Sequence, residues 1–252
     1  MFDTHVHLTD DALFSRLPEL FCEAKNLGVR RFLLPAYSAK VWERAVKIAE
    51  TYDGVYFAVG IHPLFINEGD LPNEREKFIA HKKCLAVGEV GLDYFTEDCD
   101  RIVQRSWFEH EVAFAAAHEK PLILHCRKAY DDLLALLKNQ FLKKPVAFVL
   151  HSYSGSAEQL KAFLDLGAYV SFSGTLTRTN AKKVLEVAKK VPLDRVIIET
   201  DSPYIGTSST RPPLVSPWQL PEVLAAFASA VNLDLSAAEK LTDENAARFF
   251  NL

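Results

Sequence analysis

The chain has 252 residues, 49% of them hydrophobic and 25% charged, with 29 Lys+Arg against 33 Asp+Glu for a formal net charge of −4. That composition is of the soluble globular class, and the acidic balance argues against a broad basic face that grips duplex DNA by charge alone, while leaving room for a nucleic-acid enzyme whose bound cations reverse the sign of an acidic site. No apolar run approaches membrane-spanning length, which excludes a transmembrane span.

The segment Phe2–Leu8 reads as a first strand, so no signal peptide is expected ahead of it. A helix over Ala12–Leu27 follows, stopped by Gly28. Then come a strand over Arg30–Ala36, a helix over Val41–Thr51 with apolar residues at Val41, Ala45, Ile48 and Ala49, and a strand over Val55–Ile61. Further strands are predicted at Leu85–Gly91, Pro121–Cys126, Val146–His151, Ala168–Ser173 and Val196–Thr200. Helices are predicted at Arg101–His118, Tyr130–Asn139, Ala157–Leu166 and Asn180–Lys189, and two terminal ones at Pro217–Val231 and Ala237–Phe250. Eight strands alternating with helices favour a parallel sheet with helical crossovers. A length of 252 residues is ordinary for one such barrel, so the expectation is a single (β/α)8 domain over residues 1–252. The four cysteines, Cys22, Cys84, Cys99 and Cys126, form no C-x-x-C pair. Reduced thiols and a cytoplasmic location are the expectation.

The polar residues fall at the C-terminal ends of these strands, where a barrel carries its chemistry. His5 and His7 close the first strand as His-x-His, and the period of two puts both rings on one face. His62 ends the third strand, Glu89 the fourth, His125 the fifth and His151 the sixth, and Asp201 follows the eighth. Five of the eight histidines in the chain are thereby at strand ends. Each has a plainer reading alone, such as a satisfied core histidine or a turn residue. Together they would be costly to bury unless they ligate something. Imidazole and carboxylate suit divalent metals, and the set exceeds one tetrahedral site. The expected arrangement has His5, His7 and Asp201 on one metal, His125 and His151 on a second, and Glu89 between them, as a two-metal centre for hydrolysis.

The stretches Phe2-Asp3-Thr4-His5-Val6-His7, Gly60-Ile61-His62-Pro63 and Val87-Gly88-Glu89-Val90-Gly91-Leu92-Asp93-Tyr94 resemble the TatD family of metal-dependent DNases. So do Leu124-His125-Cys126-Arg127, His151-Ser152-Tyr153-Ser154-Gly155 and Glu199-Thr200-Asp201-Ser202-Pro203-Tyr204. The resemblance runs in order through nearly the whole chain. It implies a (β/α)8 fold, hydrolysis of DNA phosphodiesters, often from the 3′ end, and His5, His7, Glu89, His125, His151 and Asp201 as ligands of two divalent ions (magnesium, manganese or zinc). The chain departs from the family pattern after Asp201. An Arg-Gly segment and Asn-x-Pro are usual there, whereas here stand Ser208-Ser209-Thr210-Arg211-Pro212-Pro213 and Ser216-Pro217-Trp218. That departure bears on substrate handling by the loop and leaves the ligand set intact.

In the mechanism so implied, Asp201 and Glu89 serve the two-metal-activated water, with Asp201 orienting or deprotonating it. His62 and Arg127 are candidates for phosphate contact or leaving-group help. His62 is alternatively a turn residue before Pro63, and Arg127 alternatively an ion-pair partner of a nearby acid. Arg127 shares the parity of His125, and Glu199 that of Asp201; Glu199 either orients a histidine or balances Arg127. Asp93 and Tyr94 are expected at the mouth. Arg178, Lys182 and Lys183 form either a basic rim or a solvated helix face. Trp218 either stacks on a base or packs its helix, and Cys126 faces the helices. DNA is the expected partner, with no membrane and no obligate protein partner. Two other readings stay open: an amidohydrolase-type enzyme acting on a small ester, lactone or phosphoester, and a catalytically idle barrel that binds.

Overall fold

The computed structural model describes residues 1–66, 75–96, 98–141 and 144–252. Eight parallel strands lie side by side in chain order: β1 (Phe2–Asp3), β2 (Arg31–Ala36), β3 (Val55–Val59), β4 (Cys84–Asp93), β5 (Leu122–Arg127), β6 (Phe148–Leu150), β7 (Tyr169–Phe172) and β8 (Val196–Ile198). Backbone bonds beyond the regular ladders close the circle. Thr4 N–H donates to the Ile198 carbonyl at 3.2 Å, Asp201 N–H to His5 at 2.9 Å, and His7 N–H to Ser202 at 2.9 Å. The result is the expected (β/α)8 barrel.

Helices sit between the strands: α1 (Asp11–Phe14), α2 (Leu17–Asn26), α3 (Ala39–Thr51), α4 (Arg75–Ile79), α5 (Arg101–Ala117), α6 (Tyr130–Phe141), α7 (Ala157–Leu164) and α8 (Lys182–Lys190). Two more, α9 (Leu220–Val231) and α10 (Leu235–Phe250), end the chain. The helix expected over Ala12–Leu27 is two helices, and Pro18 explains the break. Its ring cannot sit against the carbonyl of Phe14 four residues back, so α1 stops there and α2 restarts with Pro18 in its first turn. Pro221 acts similarly at the front of α9, which is preceded by a short 3-10 turn over Pro217–Gln219. The helix α4 has no counterpart among the elements expected from the sequence. Among the described residues, no single helix is long and apolar enough to cross a membrane.

Two apolar layers hold the barrel. The inner one takes a residue from every strand: Phe2, Leu33, Ala58, Leu85, Ile123, Val149, Tyr169 and Ile197. Phe249 and Phe250 of α10 plug its lower end, with ring centroids 4.9 Å from Tyr169 and 5.8 Å from Phe2 respectively. The outer layer fills the space between sheet and helices, around Trp42, Phe108, Leu133, Phe163 and Phe227 among others. With its lower half packed by side chains, the barrel is open to chemistry only at the C-terminal ends of its strands.

The ladder between β4 and β5 is irregular at the height of Glu89. Val87 and Val90 of β4 pair with Leu122 and Leu124 of β5, so three steps on one strand face two on the other. This bulge keeps both valines in the outer layer and turns Glu89 inward, where plain alternation from Val87 would have turned it outward. Just beyond it, Gly91 adopts φ +145°, and a Cβ there would fall on the His125 carbonyl. Gly91→Ala is expected to cost about 2–4 kcal/mol in urea unfolding, because either the backbone or β5 must give. An unchanged unfolding midpoint would contradict this account of the β4–β5 contact.

Candidate metal centre

The upper end of the barrel collects the sequence-predicted ligands. His5 and His7 lie just past the two-residue β1, because Thr4 and Val6 bond outward to both neighbouring strands while the odd-numbered side chains turn in. His5 Nε2 and His7 Nε2 are 3.2 Å apart. His7 Nε2 lies 3.1 Å from Asp201 Oδ1, and His5 Nε2 lies 3.3 Å from Glu89 Oε2. The remaining two measured separations among these four atoms, His5–Asp201 and His7–Glu89, are both 3.8 Å. A tetrahedral ion with bonds of about 2.0–2.1 Å requires ligand atoms roughly 3.3–3.4 Å apart. Four donors at 3.1–3.8 Å fit that requirement.

The other carboxylate oxygen of Glu89 faces a second group. Oε1 is 2.9 Å from His125 Nδ1 and 2.9 Å from His151 Nε2, and those two nitrogens are 3.4 Å apart. His62 Nε2 approaches the same oxygen at 3.6 Å. Glu89 thus offers one oxygen to each histidine pair. Tight three-residue groups of ligand atoms form at His5–His7–Asp201, at His62–Glu89–His125 and at His5–His151–Glu199. His5, His7, Glu89 and Asp201 are all buried, which is a costly place for such groups unless they hold an ion.

The electrostatics agree. Burial opposes ionisation of Glu89, yet His151, His62, His5 and a hydrogen bond from His125 hold its carboxyl well below the usual range. Burial likewise opposes ionisation of Asp201, and the His7 hydrogen bond with the charges of His5 and His151 brings its pKa down. Both carboxylates stay anionic and ready to ligate. His62 shows the opposite balance: burial outweighs Glu89 and lowers the ring to about 3. Its Nδ1 accepts from Leu64 N–H at 3.2 Å, so the neutral ring carries its proton on Nε2, facing the centre.

Supporting carboxylates orient the rings. Glu199 Oε1 stands 3.2 Å from His151 Nδ1, which realises the histidine-orienting reading of Glu199 rather than a balance with Arg127. Asp93 Oδ2 stands 3.0 Å from His125 Nε2, and Gln104 clamps the Asp93 backbone through its amide at 2.8 and 3.0 Å. Asp3 accepts from both the N–H and the hydroxyl of Thr200, at 2.9 and 2.7 Å, and so fixes the residue before Asp201. Asp201 itself sits at φ +52°, a left-handed turn that Asp tolerates better than most residues. Sequence reasoning placed Asp93 only at the mouth and overlooked Asp3 and Gln104. The signal for Asp3 was present, since it shares parity with His5 and His7.

A cavity of ≈ 630 Å³ opens above Glu89. Arg127 is exposed at its rim and lies over the Phe95 ring, with Cζ 3.5 Å from the centroid, and among the described residues it forms no ion pair. Arg178 lines the cavity and donates to the Gly206 carbonyl at 3.1 and 3.3 Å. Lys182 and Lys183 lie on α8 and do not line it. Tyr94 is buried and donates to Asp132 at 2.9 Å, away from the mouth position expected for it. Trp218 packs on the outer layer beneath Arg16, the plainer of its two readings, and Cys126 also packs on that layer. The Ser208–Ser209 segment is tied to Glu222 by hydroxyl donors at 2.6 Å each.

Comparisons with known proteins place this geometry. The TatD related DNase family matches over residues 2–251. The uncharacterized metal-dependent hydrolase YabD of Bacillus subtilis (strain 168) is 33% identical over 255 residues, covering 100% of this chain and 99% of YabD. The 3′-5′ ssDNA/RNA exonuclease TatD of Pantoea ananatis (strain LMG 20103) is 30% identical over 260 residues, with 100% of each chain covered. The crystal structure of YjjV, a TatD homolog from Escherichia coli K12, superposes with a TM-score of 0.92 at 27% identity, covering 100% of this chain and 98% of that one. The chain belongs to the TatD related DNase family and is a metal-dependent hydrolase.

Proposed function

We propose that residues 1–252 form one catalytic unit that hydrolyses phosphodiester bonds of single-stranded DNA as a 3′ exonuclease, using two divalent metal ions. The observation that carries this reading is Glu89, whose two carboxylate oxygens face different histidine pairs at 2.9–3.8 Å. In this reading His5, His7 and Asp201 hold one ion, His125 and His151 the other, and Glu89 both. The name of the Pantoea ananatis relative supports nucleic acid as the substrate and the 3′ end as the point of attack. When bound, the ions would supply charge neutralisation for the phosphoryl oxygens and a water activated at neutral pH; the imidazole-rich donor set suits zinc and manganese, whereas magnesium prefers oxygen donors.

The protein's own groups do the rest. Asp201, ionised and held against His7, orients the attacking water and accepts its proton. His62 presents its Nε2–H to the phosphate or the leaving oxygen as a neutral donor. Arg127, exposed at the rim, offers a guanidinium fork to the phosphate chain. Glu199 and Asp93 fix the His151 and His125 rings.

Glu199→Gln is expected to weaken metal affinity or turnover by about 10–100-fold, the usual cost of losing a carboxylate behind a ligating histidine. Metal titration of the two proteins side by side measures it. The function itself is tested on single-stranded DNA labelled at either end. Metal-loaded protein should release the 3′ label at once and shorten the 5′-labelled strand stepwise, and chelator should stop both. DNA that stays intact under conditions where metal is bound would refute the nuclease reading and direct attention to small esters and lactones.

A further inference from the structure

The cavity above the centre has two chemically different walls. With the strands in order β1 to β8, the loops after β8, β1, β2 and β3 form one side of the mouth, and those after β4 to β7 form the other. The second side brings Arg127 and Arg178, with Ser152, Ser154 and Thr175 between them. The first side contributes no lysine or arginine to the lining among the described residues. It contributes Tyr37, Phe65, Leu64 and Tyr204 beside the histidines.

The rings of that first wall form a connected surface. Tyr37 and Phe65 have centroids 4.9 Å apart, and Tyr37 and Tyr204 flank His7 at 5.5 and 4.8 Å. The Tyr204 hydroxyl donates to Asp10 at 2.6 Å, which fixes the ring while leaving the residue 48% exposed. Leu64 beside it is 54% exposed. A polyanion needs the cationic wall but has no use for a partly exposed aromatic surface a few ångströms from His7. A flat apolar group does, and in a nucleic acid that group is the base.

We propose that the Tyr37–Phe65–Tyr204 wall seats the terminal nucleobase of the substrate strand, with the phosphate chain leaving across Arg127. The inference rests on the nuclease reading above and deepens it. Stacking accepts every base, so the wall carries no sequence preference.

The test compares two oligonucleotides that differ only in the 3′-terminal residue, thymidine in one and a baseless tetrahydrofuran residue in the other. The metal-loaded wild type should process the thymidine end about tenfold more efficiently, with the difference in KM rather than kcat. Phe65→Ala should collapse that ratio to near one, and Phe65→Tyr should keep it. Tyr204→Leu, which keeps bulk and loses the flat ring, provides an independent second variant, with thermal melting to confirm its fold. A wild-type ratio near one, or a ratio that survives both Phe65→Ala and Tyr204→Leu, overturns the proposal while leaving the nuclease reading standing. Failure of the wild type to cleave either oligonucleotide overturns both.

Discussion

Asp201→Asn should lower kcat on single-stranded DNA by about 10³-fold, at a cost to metal-free stability of no more than a few degrees in melting temperature. The substitution keeps the shape of the side chain and removes its charge and its capacity to accept a proton. In the proposed mechanism an ion held by Asp201 would supply several kcal/mol of charge stabilisation at the reacting phosphate, and each 1.36 kcal/mol is a factor of ten in rate. Asp201 also stands 3.1 Å from His7 Nε2, so the neutral amide weakens the hold on that ring as well. Glu89→Gln should be at least as severe, because its two oxygens serve both histidine pairs. Steady-state kinetics with saturating metal measures both. A variant that keeps wild-type kcat would remove Asp201 from the chemistry and leave it a turn residue with a left-handed backbone.

Metal loading should raise the melting temperature by about 10–20 °C at pH 8. Each ion at a hundred times its dissociation constant adds about 2.7 kcal/mol, so two add about 5.4 kcal/mol, and a chain of this size gains roughly 2–4 °C per kcal/mol. The gain should vanish toward pH 5, and the sign follows from the histidines. Burial pushes the His151 and His125 rings down, but Glu89 and Glu199 hold His151 well above its usual value, and Asp93 with Glu89 holds His125 above its own. In the metal-free protein these raised values contribute stability that is fully present below about pH 6.5, the unfolded value, and is lost as pH rises through the folded one. A metal must displace the same protons, so its affinity falls as pH falls. The metal-free protein strengthens and the metal-bound protein loses its advantage over the same range. Differential scanning fluorimetry with and without chelator across pH measures the two curves. A metal-induced gain that is larger at pH 5 than at pH 8 would contradict the ligand assignment.

Much of the barrel and of the candidate metal centre was legible in the sequence, for identifiable reasons. The alternation of short apolar runs with amphipathic stretches marked all eight strands, because each buried strand and each one-sided helix obeys its own period. The candidate ligands were visible because a barrel spends its polar residues at one end, and His5, His7, His125 and Asp201 stand at or just past the strand ends. Other features lay beyond a periodic reading. Pro18 split one helix in two through a clash with Phe14. The inward turn of Glu89 depends on a bulge opposite β5, which two strands define together and neither shows alone. Asp93 reads as one more acid near a glycine until β5 brings His125 to within 3.0 Å of it. The apolar wall of the cavity is assembled from loops after β2, β3 and β8, and no local pattern links Tyr37, Phe65 and Tyr204 along the chain. The unusual Ser208–Trp218 segment is anchored to α9 through Glu222 by the hydroxyls of Ser208 and Ser209.

The central claim is that two ions, bridged by Glu89, are required for turnover on DNA. Its most direct test strips the protein with chelator and returns manganese or zinc in measured equivalents while recording cleavage of labelled single-stranded DNA. The account expects no cleavage in the stripped protein and a rise that levels off at two equivalents per chain, with Glu89→Gln failing to reach that level at any loading. Full activity at one equivalent, or cleavage that persists without metal, would contradict it.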